Sequence, residues 1–195
     1  MASIGPIVSG PIRAVPDAIL AAVPTALEHP AVQRVLDIAA RKGVTLEVTA
    51  FPETTHTAAD AARVVGAEIG QIVKSLVFVV ANDDGELEPI VCLISGSDRV
   101  DLGRLAAVVG RRDVRRASAR EADELTGFTI GGIPPFGHDR GTRVIMDPAL
   151  TRYETVWAAA GLPTAVFPVA PGILRMLADA HVAPIAEEPP VQQAS

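Results

Sequence analysis

Two apolar runs separated by a single turn limit how this chain can fold. Residues 72–80 read Ile-Val-Lys-Ser-Leu-Val-Phe-Val-Val, residues 88–95 read Glu-Pro-Ile-Val-Cys-Leu-Ile-Ser, and Asn82-Asp83-Asp84-Gly85 lies between them. Short runs rich in Val, Ile and Leu and bounded by turn residues are strands rather than helices. The pair therefore predicts an antiparallel hairpin with a loop of several residues, from which the core sheet starts. Lys74 is the exception within it. Side chains alternate along a strand, so Lys74 shares a face with Ile72, Leu76, Phe78 and Val80. An ammonium removed from water needs an anionic partner, a polar cavity or a route back to solvent. Either Lys74 begins the strand and snorkels outward, or it belongs to a functional site. The glycine-proline loop Gly131-Gly132-Ile133-Pro134-Pro135 further along the chain favours a site.

The remaining sequence interleaves short helices and strands. Residues 1–28, with prolines at 6, 11, 16 and 24, read as an N-terminal arm, partly ordered at best. Val32, Val35, Leu36, Ile38 and Ala39 recur at helical spacing and predict a helix over 30–42 that stops at Gly43. Residues 44–51 alternate as a strand. Thr57, Asp101 and Ser118 are placed to cap short helices that end near Gly66, Gly110 and Gly127. Short strands are expected over 113–116, 142–146, 155–160 and 165–167, then a proline-initiated helix over 171–180 and a disordered tail over 187–195. A hairpin is present and the regular βαβ rhythm is absent. These features predict a mixed α/β domain over 29–186, with a strongly curved sheet and helices packed outside it.

At 195 residues and 49% hydrophobic content, the chain can bury a core as one domain. Aromatic residues make up only 4%, which argues against base-stacking platforms for single strands or RNA. A net charge of -6 argues against non-specific coating of nucleic acid. Positive charge is nevertheless concentrated at Arg104, Arg111, Arg112, Arg115, Arg116 and Arg120, a segment suited either to phosphates or to plain solvation. Cys92 is the single cysteine, so an internal disulfide and paired-thiolate zinc sites are excluded, and its apolar context indicates an inert buried thiol. The four histidines are scattered with no helical pair, and neither a metal nor another cofactor is indicated. No glycine-rich phosphate loop follows a first strand. No run of 18 apolar residues and no signal-like N-terminus is present, so the expectation is a cytoplasmic protein without membrane contact.

Four strings then carry a resemblance, in order and at compatible spacing. They are Thr57-Ala58-Ala59-Asp60-Ala61-Ala62, Ile72 to Phe78, Asp101-Leu102-Gly103-Arg104-Leu105-Ala106, and Thr126-Gly127-Phe128-Thr129-Ile130-Gly131-Gly132-Ile133-Pro134-Pro135-Phe136-Gly137. Over residues 30–185 the chain resembles the YbaK family, whose relatives include the editing domain inserted in bacterial prolyl-tRNA synthetases. The resemblance implies a compact domain with a barrel-like mixed sheet. It also implies hydrolysis of the ester that links a wrong amino acid to the 3′ end of a tRNA. On the same basis Lys74 matches the family's essential lysine, and Gly131 with Pro135 matches its Gly-x-x-x-Pro loop.

An aminoacyl ester is activated, so its hydrolysis requires positioning, a water and stabilisation of the oxyanion rather than a strong nucleophile. The resemblance implies that Lys74 clamps the terminal phosphate or the carbonyl region while the substrate's own ribose hydroxyl orients the water. Gly132, Ile133 and Pro134 complete the loop around the 3′-terminal adenosine. Ser75, on the opposite strand face, is either a secondary substrate contact or a structural hydroxyl. His56 and His138 are either pocket residues or exposed surface histidines; His138 titrates in a range suited to proton transfer if it turns inward. The expected substrate carries a small residue, by family default alanine or cysteine on tRNA(Pro), with the acceptor end of the aminoacyl-tRNA as partner and an aminoacyl-tRNA synthetase as a second one. The stretch Ala158-Ala159-Ala160-Gly161-Leu162-Pro163 departs from the small hydroxyl and glycine residues common in relatives. That departure leaves open a catalytically silent adaptor that binds tRNA or a synthetase.

Overall fold

The structure, a computed structural model, describes residues 26–51 and 57–188. The N-terminal arm up to residue 25, His56 and residues 189–195 of the expected tail lie outside the described residues. In chain order the elements are helix α1 (Pro30–Arg41), strand β1 (Thr49–Ala50), helix α2 (Ala58–Val65), a 3-10 turn (Ile69–Gln71), and strands β2 (Val73–Ala81) and β3 (Leu87–Ser95). Then follow helix α3 (Leu102–Val109), strand β4 (Arg115–Arg116), helix α4 (Ala119–Thr126), strand β5 (Arg143–Met146) and a 3-10 turn (Pro148–Arg152). Strands β6 (Val156–Ala159) and β7 (Ala165–Val169), helix α5 (Pro171–Ala178) and strand β8 (His181–Val182) end the described fold.

The expected hairpin is its spine. β2 and β3 pair antiparallel over their whole length, from Val73 opposite Ser95 to Ala81 opposite Leu87. Asn82 builds the turn by accepting the Asp84 and Glu86 N–H groups on its side-chain oxygen, at 3.0 and 2.8 Å. Both faces of the hairpin are buried, which is why its sequence runs nearly continuously apolar. Val73, Val77, Val79, Val91 and Leu93 face one core with β6, β7 and α1, whereas Phe78, Val80, Ile90, Cys92 and Ile94 face a second core with Leu105 of α3 and Ile185.

The predicted caps form. Thr57, Asp101 and Ser118 accept the N–H three residues on, at 3.1, 3.0 and 3.3 Å, and Glu121 reaches back to the Ser118 N–H to complete a capping box.

Three expectations change. Residues 44–48 do alternate between exposed and half-buried, but only Thr49 and Ala50 pair, with β7. Alternation records which side meets the core; it does not supply a neighbouring strand. Among the described residues the sheet also does not close into a barrel. A three-stranded sheet in the order β1-β7-β6 and a five-stranded sheet in the order β4-β2-β3-β5-β8 meet at a single parallel bridge between Ile72 and Trp157. The segment expected to begin a disordered tail is held down as far as described: Glu187 N–H donates to the Arg99 carbonyl at 2.8 Å, and Ala186 bridges Val100. The buried Asp147 carboxylate accepts the Ile185 and Ala186 N–H groups at 2.9 and 2.8 Å and anchors this return.

Candidate active site

Where the two sheets part, at the start of β2, a cavity of about 220 Å³ opens. Its walls come from α2 (Ala58, Ala61), from residues 72–77, from Arg116 of β4 and Ala117 after it, from Ala122 of α4, from Ile130, Gly131 and Ile133, and from Trp157, Ala159, Pro163 and Val166 of the β6–β7 hairpin. The lining is mostly small or branched apolar side chains. Its polar groups are Thr57, Lys74, Ser75, Arg116 and the backbone at Gly131.

Lys74 stands at the wall between this cavity and a second groove formed by Leu76, Phe78, Asp98, Arg99, Leu102 and Arg116. Its Nζ donates to the Asp98 carbonyl oxygen. Half-burial pushes its pKa below the ordinary lysine value; the Asp98 carboxylate opposes that shift, and the Arg116 and Arg99 guanidiniums add to it. The Asp98 carboxylate is itself engaged, accepting the Ser97 hydroxyl at 2.8 Å and facing Arg152 at 3.4 Å. Of the two readings open from sequence, Lys74 is neither free in solvent nor neutralised by a direct ion pair. Three cations converge on the partition.

The Gly131 loop forms the opposite wall. Gly131 has φ +91°, a backbone that favours glycine, and the Gly132 N–H closes a turn on the Thr129 carbonyl at 3.0 Å. A Cβ at Gly132 would come within 2.8 Å of Leu162 backbone atoms and 2.9 Å of Pro163 Cδ. The loop thus packs on the 158–163 segment, and Leu162-Pro163 buttresses it. Ile130, 55% exposed, forms the rim.

The structure brings together Lys74, Ser75, Gly131 and Ile133 around one space. Gly132, Pro134 and Pro135 are buried in the loop behind it and do not line the cavity. His138 also lies behind the loop, half-buried, with Nε2 2.8 Å from the Pro134 carbonyl oxygen and its ring edge-on to Phe128. A carbonyl only accepts, so Nε2 carries the proton and His138 staples the loop. Burial lowers its pKa, partly offset by that bond. Cys92 is buried and its thiol is pushed up to about 12 by desolvation, in keeping with an inert thiol.

The arginine segment divides. Arg104, Arg111, Arg115 and Arg120 pair with carboxylates, Arg115 through two bonds of 2.6 and 2.9 Å to Glu121. That pair and the Ser118 N–H hold Glu121 at about 2. Arg112 and Arg116 have no carboxylate partner among the described residues, and Arg116 is the one that reaches the cavity. Trp157, Asp98 and Arg99 were not singled out from sequence, and Pro163 only as the end of the 158–163 stretch. Asp98, in the turn Ser95-Gly96-Ser97-Asp98 directly after β3, could have been found from the hairpin register, which sets Lys74 opposite Ile94.

Residues 52–177 match the profile of the aminoacyl-tRNA editing domain family. A solved structure of a proposed trans-editing enzyme for prolyl-tRNA synthetase superposes with a TM-score of 0.74 at 43% identity, covering 82% of this chain and 99% of the other. The multifunctional Ser/Thr-tRNA deacylase ProXp-y of Escherichia coli is 30% identical over 135 residues, 67% of this chain and 77% of its own. A proline–tRNA ligase of Limosilactobacillus fermentum is 30% identical over 95 residues, 49% of this chain but 17% of that enzyme. The junction cavity with its lysine and glycine loop lies inside the matched span, and the chain belongs to the aminoacyl-tRNA editing domain family.

Proposed function

We propose that this editing domain acts in trans and hydrolyses the ester between a small amino acid and the 3′-terminal ribose of a mischarged tRNA, with alanyl- and cysteinyl-tRNA(Pro) as expected substrates. One observation carries the proposal: Lys74 and the Gly131 turn form facing parts of one small cavity whose other walls are almost entirely apolar.

The lining holds no carboxylate, imidazole or thiol among the described residues. Attack by a side-chain nucleophile is therefore not the supported route. The substrate supplies the missing group: the vicinal ribose hydroxyl orients a water, whose oxygen attacks the carbonyl carbon. The ester C–O bond then breaks, the ribose oxygen takes a proton, and the free amino acid leaves. Lys74 and the Gly131 backbone N–H are the groups that meet the negative charge on the carbonyl oxygen or the terminal phosphate. Arg116, beside Lys74, is the second cation available to the phosphate. The Ala117, Ala122, Ala159 and Ile133 walls act as a sieve by size, a sense in which one methylene is worth about 1–3 kcal/mol. The domain is proposed to work in the cytoplasm and to gain effective concentration beside prolyl-tRNA synthetase.

The test is single-turnover deacylation of alanyl-, cysteinyl- and seryl-tRNA by the wild type and by Lys74→Ala. Loss of an electrostatic contact of this kind lowers turnover by about 10²–10³-fold. Unchanged turnover in Lys74→Ala refutes the site. Binding of tRNA without release of any amino acid by the wild type instead supports the adaptor.

A further inference from the structure

Lys74 and Arg116 form a wall shared by two spaces, and the second of these has no part in the chemistry proposed above. It is a groove of about 460 Å³. Lys74, Leu76 and Phe78 lie on one face of β2, and Arg116 pairs directly opposite Phe78, so its side chain joins that face. The far wall is the turn that follows β3, and it is held from both sides. The Asp98 carbonyl accepts the Lys74 ammonium, and the Arg99 carbonyl accepts the Glu187 N–H at 2.8 Å. Arg99 and, three residues on, Leu102 line the groove from that side, and both are exposed.

We propose, on the hydrolase reading above, that this groove is a second nucleotide subsite. It takes the nucleotide that precedes the 3′-terminal adenosine, with its phosphate on Arg99 and Arg116 and its sugar and base over Leu76 and Leu102.

Charge and continuity both point to this occupant. Arg99 and Arg116 have no carboxylate partner among the described residues, and both push the Lys74 pKa down, as uncompensated like charges do. The groove's two carboxylates leave the balance positive. Asp98 is drawn toward Arg152 at 3.4 Å, and Glu187 is exposed to solvent, which screens it. A phosphate between Arg99 and Arg116 accepts charge-assisted hydrogen bonds and relieves the repulsion. The floor is aliphatic. Phe78 is only 3% exposed and presents no ring for stacking, so the base is held by apolar contact. Because Lys74 and Arg116 line both spaces, a strand whose 3′ end fills the junction cavity enters the groove next. A domain of net charge -6 repels RNA as a whole, so cations matter most along the path of the strand.

The experiment places the aminoacyl group that the wild type releases fastest from tRNA on 5′-phosphoadenosine and on the dinucleotide pCpA. It measures kcat and KM for both esters with the wild type, Arg99→Gln, Leu102→Glu and Arg175→Gln. Leu102 opens α3, where a carboxylate is tolerated by the helix, and Arg175 is exposed on α5 and lines neither space. One charge-assisted contact is a factor of about ten. The expected result is that the wild type gains about tenfold in kcat/KM from the added nucleotide, through KM, because contacts remote from the ester bind ground and transition states alike. Arg99→Gln and Leu102→Glu lose that gain, Arg175→Gln keeps it, and all four proteins melt together. Retention of the gain in Arg99→Gln or Leu102→Glu overturns the proposal. An equal loss on both esters also overturns it, because Arg99 then serves the terminal phosphate. A wild type that releases the amino acid from tRNA but gains nothing from the added nucleotide refutes the subsite and leaves the hydrolase standing. A wild type that releases no amino acid from any tRNA refutes both.

Discussion

Replacing Gly132 by alanine tests whether the loop's position, rather than its mere presence, sets activity. The added Cβ would lie 2.8 Å from the carbonyl carbon and Cα of Leu162 and 2.9 Å from Pro163 Cδ. Carbon atoms rest about 3.5–4.0 Å apart, so the two backbones must separate by about 0.7 Å or more. The β6–β7 turn has little room to recede. Gly161, at φ +97°, already sits so close to α1 that a Cβ there would meet the Ala31 carbonyl oxygen at 2.7 Å. The displacement therefore falls on the Gly131 wall. Overpacking of this kind costs about 1–3 kcal/mol, which for a chain of this length lowers Tm by about 2–12 °C. A misplacement near 1 Å in a reacting geometry costs about 10²-fold in rate. Gly110→Ala is the matched control: it also has positive φ, +77°, but nothing lies within 4 Å of its Cβ and it caps α3 away from the cavity. It should lose about 1–2 kcal/mol from left-handed strain alone and keep its turnover. Melts and single-turnover rates on the same tRNA compare the two. Gly132→Ala within about threefold of wild-type rate would refute the loop's role.

Two further perturbations probe the groups around the cavity. Arg116→Gln should weaken tRNA binding and make the fall of log K with log salt shallower by about one charge, while Arg115→Gln, whose native partner is Glu121, should leave that slope unchanged; equal slopes in both variants would remove Arg116 from the phosphate path. Burial holds His138 below the usual imidazole pKa, so its contribution to stability is complete above the unfolded value and is lost as pH falls through that value toward the folded one; between about pH 7.5 and 5.5 the wild type should therefore lose more Tm than His138→Gln, and identical pH profiles would show that His138 does not staple the loop.

The elements legible in the sequence are those in which local chemistry and tertiary demand coincide. The hairpin announced itself through two apolar runs and an Asn-Asp-Asp-Gly turn, and three helices through Thr57, Asp101 and Ser118 at their starts. Residues 44–48 misled because period-two burial arises wherever an extended segment lies on a core, whether or not a neighbour offers its N–H and C=O groups. The open sheet was invisible for the same reason, since closure depends on how many residues of β4 and β6 find partners, and each is short. In the site, Lys74 and Gly131 stood out because each breaks a local rule: a charge inside an apolar strand, a glycine pair beside prolines. Trp157, Pro163 and Arg116 break none, and only the approach of β6 to β2 gives them a role.

That approach also explains how adjacent residues of one strand serve one site. In the interior of a two-sided sheet, residues n and n+1 enter separate cores, as Val77 and Phe78 do here. At the start of β2 the neighbouring sheet is bridged only at Ile72 and Trp157 among the described residues, and there Lys74, Ser75 and Leu76 stay half-buried between the buried Val73 and Val77. Lys74 can therefore stand at the partition with the Asp98–Arg99 groove while Ser75, one residue later, lines only the first cavity. A closed barrel would have continued the ladder past this point and filled one of the two faces. The single bridge between the sheets thus leaves room for the cavity beside the start of β2. It allows one strand to present a charge and a hydroxyl to one cavity.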